Sequence, residues 1–399
     1  MNFKSSRVIV ATHYLVYGCA QALCDYLKEQ DINELLFIAH PLNSYAKGDS
    51  YFEIFSGNTL LKKEILAKRT SFGVCGYIKE IFWSLRAIVR QKKTYKLFVG
   101  ADNVSALVGI ILKKLGRVEK VAYWTLDYRP VRFENRVMNT VFHWLDRFCV
   151  SFADETWNVS PKMSEGREIF KGMARKKFNR QKVVPAGIWF DKIKRLPFED
   201  IDKKKLLFIG DLGRKSGVDH VLEAIPLILR SITGFQFLVI GGGQQEEKFK
   251  NRAKELKIDS HVHFTGWIRD RKKLEILIKD SAVGIALYDK YDEKGELAFG
   301  NFSDPGKIKD YMVSGMPVIL TDVPYNAREI EEKECGKVIN KLHFDRPDKT
   351  EIAQAVVDIL QDDNTLQKYR SNSINYIKMY DWHRIFQKNL CGEDMCSSR

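Results

Sequence analysis

Strand-like and helix-like segments alternate twice along this chain, and that repeated rhythm is the strongest constraint on its fold. In the first half, apolar runs of strand length fall at Val8–Ala11, Leu35–Ala39, Lys96–Gly100, Val121–Thr125 and Thr156–Val159. Stretches with helical spacing lie at Gly18–Lys28, Val74–Arg90, Val104–Leu115 and Arg132–Phe152. The second half restarts the pattern, with strands at Leu206–Gly210, Phe235–Ile240, Val262–Thr265 and Val283–Leu287 and helices at Gly217–Leu229, Gln245–Leu256 and Lys272–Lys279. Two further helices are expected over Thr350–Gln361 and Leu366–Gln387. Alternation of this kind predicts parallel sheets wound with helices on both faces. The expected fold class is α/β, with two Rossmann-like doubly wound domains facing a cleft and ligands at the carboxyl ends of the strands. A basic run at Lys171–Lys182 and the aperiodic, charged Pro197–Lys205 interrupt the rhythm. They place a first domain at 1–186, a linker at 187–204 and a second domain at 205–365, with the C-terminal helix 366–399 packing back on the first.

At 399 residues, two domains are the expected split. No run of eighteen apolar residues occurs, so no transmembrane helix is predicted. The N-terminal apolar run is too short for a signal peptide, and the expected location is the cytoplasm. The seven cysteines are scattered and lack metal-ligand spacing, which reads as reduced thiols. The net charge of +14 is unevenly spread: residues 1–186 carry 30 Lys and Arg against 17 Asp and Glu, and the remainder 35 against 34. A basic half seeks a polyanion, whether an anionic membrane surface, a phosphorylated lipid or nucleic acid. Its cations are not interleaved with aromatics in a recognition motif, which argues against nucleic acid. Peripheral attachment to the inner face of the cell membrane is the expectation. Lys62, Lys63, Lys68, Arg69, Lys92, Lys93 and Lys96 flank the amphipathic 74–90 segment, whose apolar stripe serves either core packing or an interface.

The segment Ser303–Thr321 carries the clearest chemical signal. Asp304, Pro305 and Gly306 open a helix, Ile308, Tyr311 and Met312 recur at helical spacing, and Gly315 and Pro317 end it before an apolar strand. A helix start with Gly306 and Lys307 just inside it suits a phosphate, because free N–H groups point outward and the lysine adds a full charge.

Several stretches together resemble the large retaining glycosyltransferase family of GT-B fold, the group 1 or family 4-like type. LLFIGDLGRKSGVDHVLEAI resembles the first strand and helix of its donor domain, and FLVIGGGQQEEKFK the next unit. VHFTGWI resembles the nucleobase loop and SDPGKIKDYMVSGMPVI the loop and helix that carry the donor diphosphate and sugar. HYLVYGCAQALCDYL, WNVSPKM and VVPAGI match first-domain pieces. The resemblance implies an enzyme that moves a sugar from a UDP- or GDP-sugar to a hydroxyl of a cell-envelope polysaccharide or lipid-linked glycan. It implies no cofactor and no metal, the nucleotide-sugar being a substrate.

Residue by residue, it implies that Lys307, Arg214 and Lys215 meet the donor phosphates, and that Ser303, Asp304, Gly306 and Ile308 lie along the donor loop. The family's arginine and lysine positions in the first donor loop hold Asp211 and Ser216 here. Asp310 falls on the second of the family's paired glutamates, toward the ribose, and Phe302 on the first, with Asp304 or Glu296 as replacements facing the sugar. Gly266 and Trp267 would lie along the base, and Gly18 would let the first loop approach the phosphates. Asp127 and His13, both near strand ends, are the catalytic candidates for orienting or deprotonating the acceptor hydroxyl. Two other readings remain: a nucleotide-sugar epimerase or hydrolase on the same fold, and a non-catalytic membrane- or polyanion-binding protein.

Overall fold

In the computed structural model, the described residues are 1–14, 17–42, 48–68, 74–174, 180–268, 270–339, 342–343 and 346–391. They divide into two compact units, one of Met1–Ala186 with the segment from Trp382, the other of Gly187–Asp381.

The first unit runs β1 (Arg7–Tyr14), α1 (Cys19–Glu29), β2 (Glu34–Pro41), β3 (Ser50–Ser56), β4 (Thr59–Ala67), α2 (Val74–Arg90), β5 (Tyr95–Gly100), α3 (Asn103–Lys114), β6 (Val118–Thr125), α4 (Arg136–Phe152), β7 (Glu155–Asn158), α5 (Pro161–Lys171) and β8 (Gln181–Val183). The sheet order is β4-β3-β2-β1-β5-β6-β7-β8. All eight residues of β2 are buried, as expected of a strand covered on both faces. One face packs Ile9, Leu36, Ile38, Phe98 and Val121 under the helices between β4 and β7.

The β3–β4 hairpin was not anticipated. It adds two antiparallel strands to an otherwise parallel sheet. Its signal was the Gly57-Asn58 pair, a two-residue turn with Gly57 at φ +51°. Most of β4 is exposed, and its lysines blunt an open edge. The apolar stripe of α2 is split: Ala87 and Ile88 are buried, while Ile78, Phe82 and Val89 are exposed.

The second unit runs β9 (Asp202–Ile209), α6 (Val218–Ile228), β10 (Gln236–Ile240), α7 (Glu246–Glu255), β11 (Val262–Phe264), α8 (Arg271–Ile278), β12 (Ser281–Ala286), α9 (Gly306–Val313), β13 (Val318–Thr321), α10 (Ala327–Glu332) and β14 (Gly336–Ile339). These strands form a parallel sheet in the order β11-β10-β9-β12-β13-β14. A two-residue pair, β15 (Leu342–His343) and β16 (Arg346–Pro347), precedes α11 (Lys349–Leu360) and α12 (Asp363–Ile377).

Two boundaries differ from expectation. Residues 187–204 are folded onto the second unit: the Ile188 N–H donates to Tyr380 O at 2.9 Å and Arg195 Nε to Val313 O at 2.7 Å. The single C-terminal helix is two helices. α12 stays with the second unit through Arg370 on Ser314 O and Ser373 on Cys335 O. After a break at Asp381, whose carboxylate accepts from Phe190 N, α13 (Trp382–Cys391) joins the first unit. There Trp382 stacks on Phe386 at 4.8 Å and both meet Trp124 edge-on, so aromatic burial fixes the chain's return.

Candidate functional site

In the second unit, β9 ends at a cavity of about 600 Å³. Phe208 and Asp211 come from the strand end, Arg214 and Lys215 from the following loop, and Lys307 from the start of α9. The fold brings Lys307 here through small residues. Gly284 in β12 leaves room for the Tyr311 ring, since a Cβ there would sit 2.4 Å from it. Tyr311 Oη accepts from Ile209 N at 2.8 Å and donates to Ile285 O at 3.3 Å, which seats α9 on β9 and β12. At Gly210 a Cβ would stand 3.0 Å from Lys307 Nζ, so glycine lets the ammonium reach the strand end. The ammonium also faces the Phe208 and Tyr288 rings at 5.0 and 5.5 Å. Burial pulls its pKa down to about 8, with the Asp211 carboxylate opposing. Lys215 is held by Tyr291 O at 2.9 Å and Asp289 at 3.7 Å.

The glycine run after β10 is structural. A Cβ at Gly241 would lie 1.8 Å from Gly210 O, so the ends of β9 and β10 close only with glycine there. Gly266 adopts φ +68° and accepts from Gly241 N at 3.1 Å. Trp267 is exposed, with its indole edge over Gly242.

Of the expected donor residues, Arg214, Lys215 and Lys307 share this cavity, and Asp310 lines a neighbouring one of about 350 Å³ with Ile209 and Lys272. Others lie outside this cavity's lining. Asp304 is 1% exposed and ion-paired with the equally buried Lys309, so its carboxylate is committed to the core. Ile308 packs in that core with Met312 and Tyr311. Ser303 is buried, and its hydroxyl donates to Gly300 O at 3.4 Å. Gly306 is the first residue of α9, as expected, while Gly18 meets no steric demand for glycine, a Cβ there finding only Gln21 Oε1 at 3.7 Å. Glu296, exposed, is tied by its backbone to Asp292, whereas Glu293 lines the cavity.

In the first unit, His13 is not an available base. Its Nδ1 meets Asp102 at 2.9 Å and its Nε2 meets Glu80 at 3.0 Å. Burial alone would lower its pKa, but the Asp102 and Glu80 carboxylates outweigh that and hold it at about 10, an imidazolium donating from both nitrogens. Asp102 caps α3 through Ser105 N, and with His13 this holds its pKa at about 2 against the effect of burial. The adjacent His40, bonded to Ser50 and Ser84, is driven to about 3 by burial and the His13 charge. Asp127 forms an ion pair with Arg132, and its Oδ1 is buried without a hydrogen-bond partner among the described residues. Burial raises its pKa, with Arg132 and Arg129 opposing.

Residues 190–376 match the family described as glycosyl transferases group 1. The phosphatidyl-myo-inositol mannosyltransferase of Mycobacterium leprae is 26% identical over 183 residues, 45% of this chain and 43% of that protein. The lipopolysaccharide glucosyltransferase WaaG of Escherichia coli is 28% identical over 173 residues, 40% and 42% of the two chains. The aligned stretch is thus under half the length of either relative. Solved structures extend the likeness of fold over 96% of the chain. HepE of Anabaena in complex with UDP superposes with a TM-score of 0.64 at 13% identity, covering 96% of this chain and 98% of that one. The chain carries a group 1 glycosyltransferase domain and has the GT-B fold. WaaG, with a TM-score of 0.59 at 14% identity over 96% and 98%, shares that fold.

Within this glycosyltransferase domain, sequence reasoning missed Glu293, Gln244 and Tyr288 as cavity residues. Each sits in a loop without periodicity, and only the closing of strand ends aims it inward. Among the described residues, no three His, Cys, Asp or Glu gather as a metal site would require.

Proposed function

We propose that this chain is a retaining glycosyltransferase that moves a sugar from a UDP- or GDP-sugar to a hydroxyl of a cell-envelope polysaccharide or lipid-linked glycan. The observation that carries this reading is the convergence of Lys307, Arg214 and Lys215 on one cavity at the strand ends of the matched domain. The related names support it: HepE is seen with UDP and with UDP-glucose, and WaaG is named for lipopolysaccharide. In this reading the three cations offset charge on the departing nucleoside diphosphate. Asp310, lining the cavity next to theirs, meets the ribose, and Trp267 walls the base. Glu293 takes the place of the sugar-facing carboxylate, since Phe302 and Asp304 are buried. Asp127, its pKa raised by burial, orients the acceptor hydroxyl. No metal takes part, and chelator leaves activity unchanged.

The acceptor is met at the inner face of the cell membrane. Exposed Ile78 and Phe82 on α2 and Val137, Val141 and Trp144 on α4 lie among the cations of the basic first unit. Among the described residues, no helix is long and apolar enough to cross a membrane.

The test is thermal-shift binding of UDP, GDP, ADP and CMP in the presence of chelator, followed by sugar transfer from the matching donor. A rise in Tm with one diphosphate, lost in Lys307→Ala, supports the reading. No shift with any of the four refutes it. The buried Phe302 favours one further reading, a scaffold that binds donor without transferring sugar. That reading predicts nucleotide binding with no sugar released or moved.

A further inference from the structure

A second cavity, of about 280 Å³, lies in the first unit between the β3–β4 hairpin and α2. Its apolar wall is Phe52, Ile65, Leu66 and Trp83. Its polar rim brings together Lys62 from β4 with Arg86 and Arg90 from α2, against a single carboxylate, Glu64. That carboxylate is used by Lys62 at 2.8 Å. Both arginines are exposed; among the described residues Arg86 has the Trp83 ring at 5.8 Å and neither arginine has a carboxylate ion pair.

The rim carries an excess of positive charge. Arg86 and Arg90 are four residues apart on one helix face, where like charges repel. Arg90 gains from the helix C-terminus, but Arg86, a turn earlier, does not. Lys62, projecting from the facing strand, adds a third cation to the same space. An anion seated between the two guanidiniums relieves their mutual repulsion, with Lys62 at its edge. Guanidinium forks match phosphate oxygens two at a time, and the Trp83 ring helps hold the Arg86 fork in place. The cavity exceeds the volume of a phosphate alone, and its apolar wall suits the carbon skeleton attached to one.

The site is separate from the His13–Glu80 cluster. Arg90 is ten residues beyond Glu80 on α2, about 15 Å along the helix. We propose that this cavity binds a phosphate monoester or diester, with Arg86 and Arg90 as its bidentate ligands and Lys62 as the third cation. The ligand's phosphate comes either from a phospholipid headgroup or from a free phosphorylated polyol. The inference does not depend on the donor reading, because no residue of the donor cavity takes part.

The experiment uses the full chain with two probes, soluble glycerol 3-phosphate and phosphatidylcholine vesicles containing phosphatidylglycerol. Arg86→Gln/Arg90→Gln is compared with Lys248→Gln/Lys254→Gln on the exposed face of α7, which removes the same charge outside the cavity. Unchanged Tm and unchanged UDP response in both variants confirm folding. Glycerol 3-phosphate binding weakened about tenfold or more by the arginine pair alone supports the site with a soluble source. Vesicle binding lost with the arginine pair but kept with the α7 lysine pair, and no soluble binding, supports it with a lipid source. Equal losses in the two variants mean diffuse charge and overturn the proposal, as does wild-type protein that binds neither probe.

Discussion

Raising the pH through 8 strips the donor cavity of one of its cations. Lys307 is held at about 8 by burial, so the free protein sheds this proton as the solution becomes mildly alkaline. A bound diphosphate supplies the counter-charge that the cavity lacks and returns the lysine to its ordinary range near 10.5. Affinity is therefore linked to proton uptake. Between about pH 7 and about pH 9 the free lysine goes from mostly charged to about one-tenth charged, so the Kd for UDP rises about tenfold, or about 1.4 kcal/mol. The sign follows from the depressed value: the unliganded protein holds the proton less firmly than the complex, so above about pH 8 binding must recharge the amine. Calorimetry or thermal shift across that range reads the slope directly. Lys307→Gln binds weakly and with no slope. Lys307→Arg, protonated throughout, removes the slope while keeping a cation. A flat wild-type profile, or an equal slope in Lys307→Gln, refutes the reasoning.

Other outcomes follow from buried charge and close packing. His13→Gln leaves Asp102 and Glu80 facing each other without a cation, at a cost of about 3–5 kcal/mol in urea unfolding. Because His13 is raised to about 10 in the fold, its contribution is complete below about pH 6.5 and shrinks as pH climbs toward 10, so the wild-type advantage is larger at pH 6 than at pH 9. Lys309→Met strands the buried Asp304 carboxylate and lowers stability by about 3–5 kcal/mol, while Asp304→Asn/Lys309→Met recovers most of the loss. Gly241→Ala places a methyl 1.8 Å from Gly210 O, so it lowers Tm and, by shifting the end of β9, weakens UDP binding.

The sequence was most legible where a local rule acts alone. Gly306-Lys307 after Pro305 reads as a phosphate-type helix start, and α9 begins at Gly306. Asp304 and His13 were misplaced for a common reason. A charged side chain near a strand or helix end looks functional in one dimension, yet each is consumed by a partner that sequence cannot align with it. Lys309 reaches Asp304 only because α9 is seated on the sheet, and Asp102 reaches His13 only because β5 pairs beside β1. The β3–β4 hairpin escaped because an exposed edge strand need not alternate apolar and polar residues.

By itself, the chain's hydrophobic rhythm determined two wound α/β units, since periodicity of 2 and 3.6 is a local property of the backbone. It also fixed the glycines and cations that make the loop after β9 and the start of α9. Tertiary structure alone decided which charges face solvent, which are neutralised in the core and which ammonium is held near pH 8. Those outcomes depend on burial and on partners as far apart in sequence as His13 and Asp102, and the free energy of a charge is set by its surroundings rather than its neighbours in the chain.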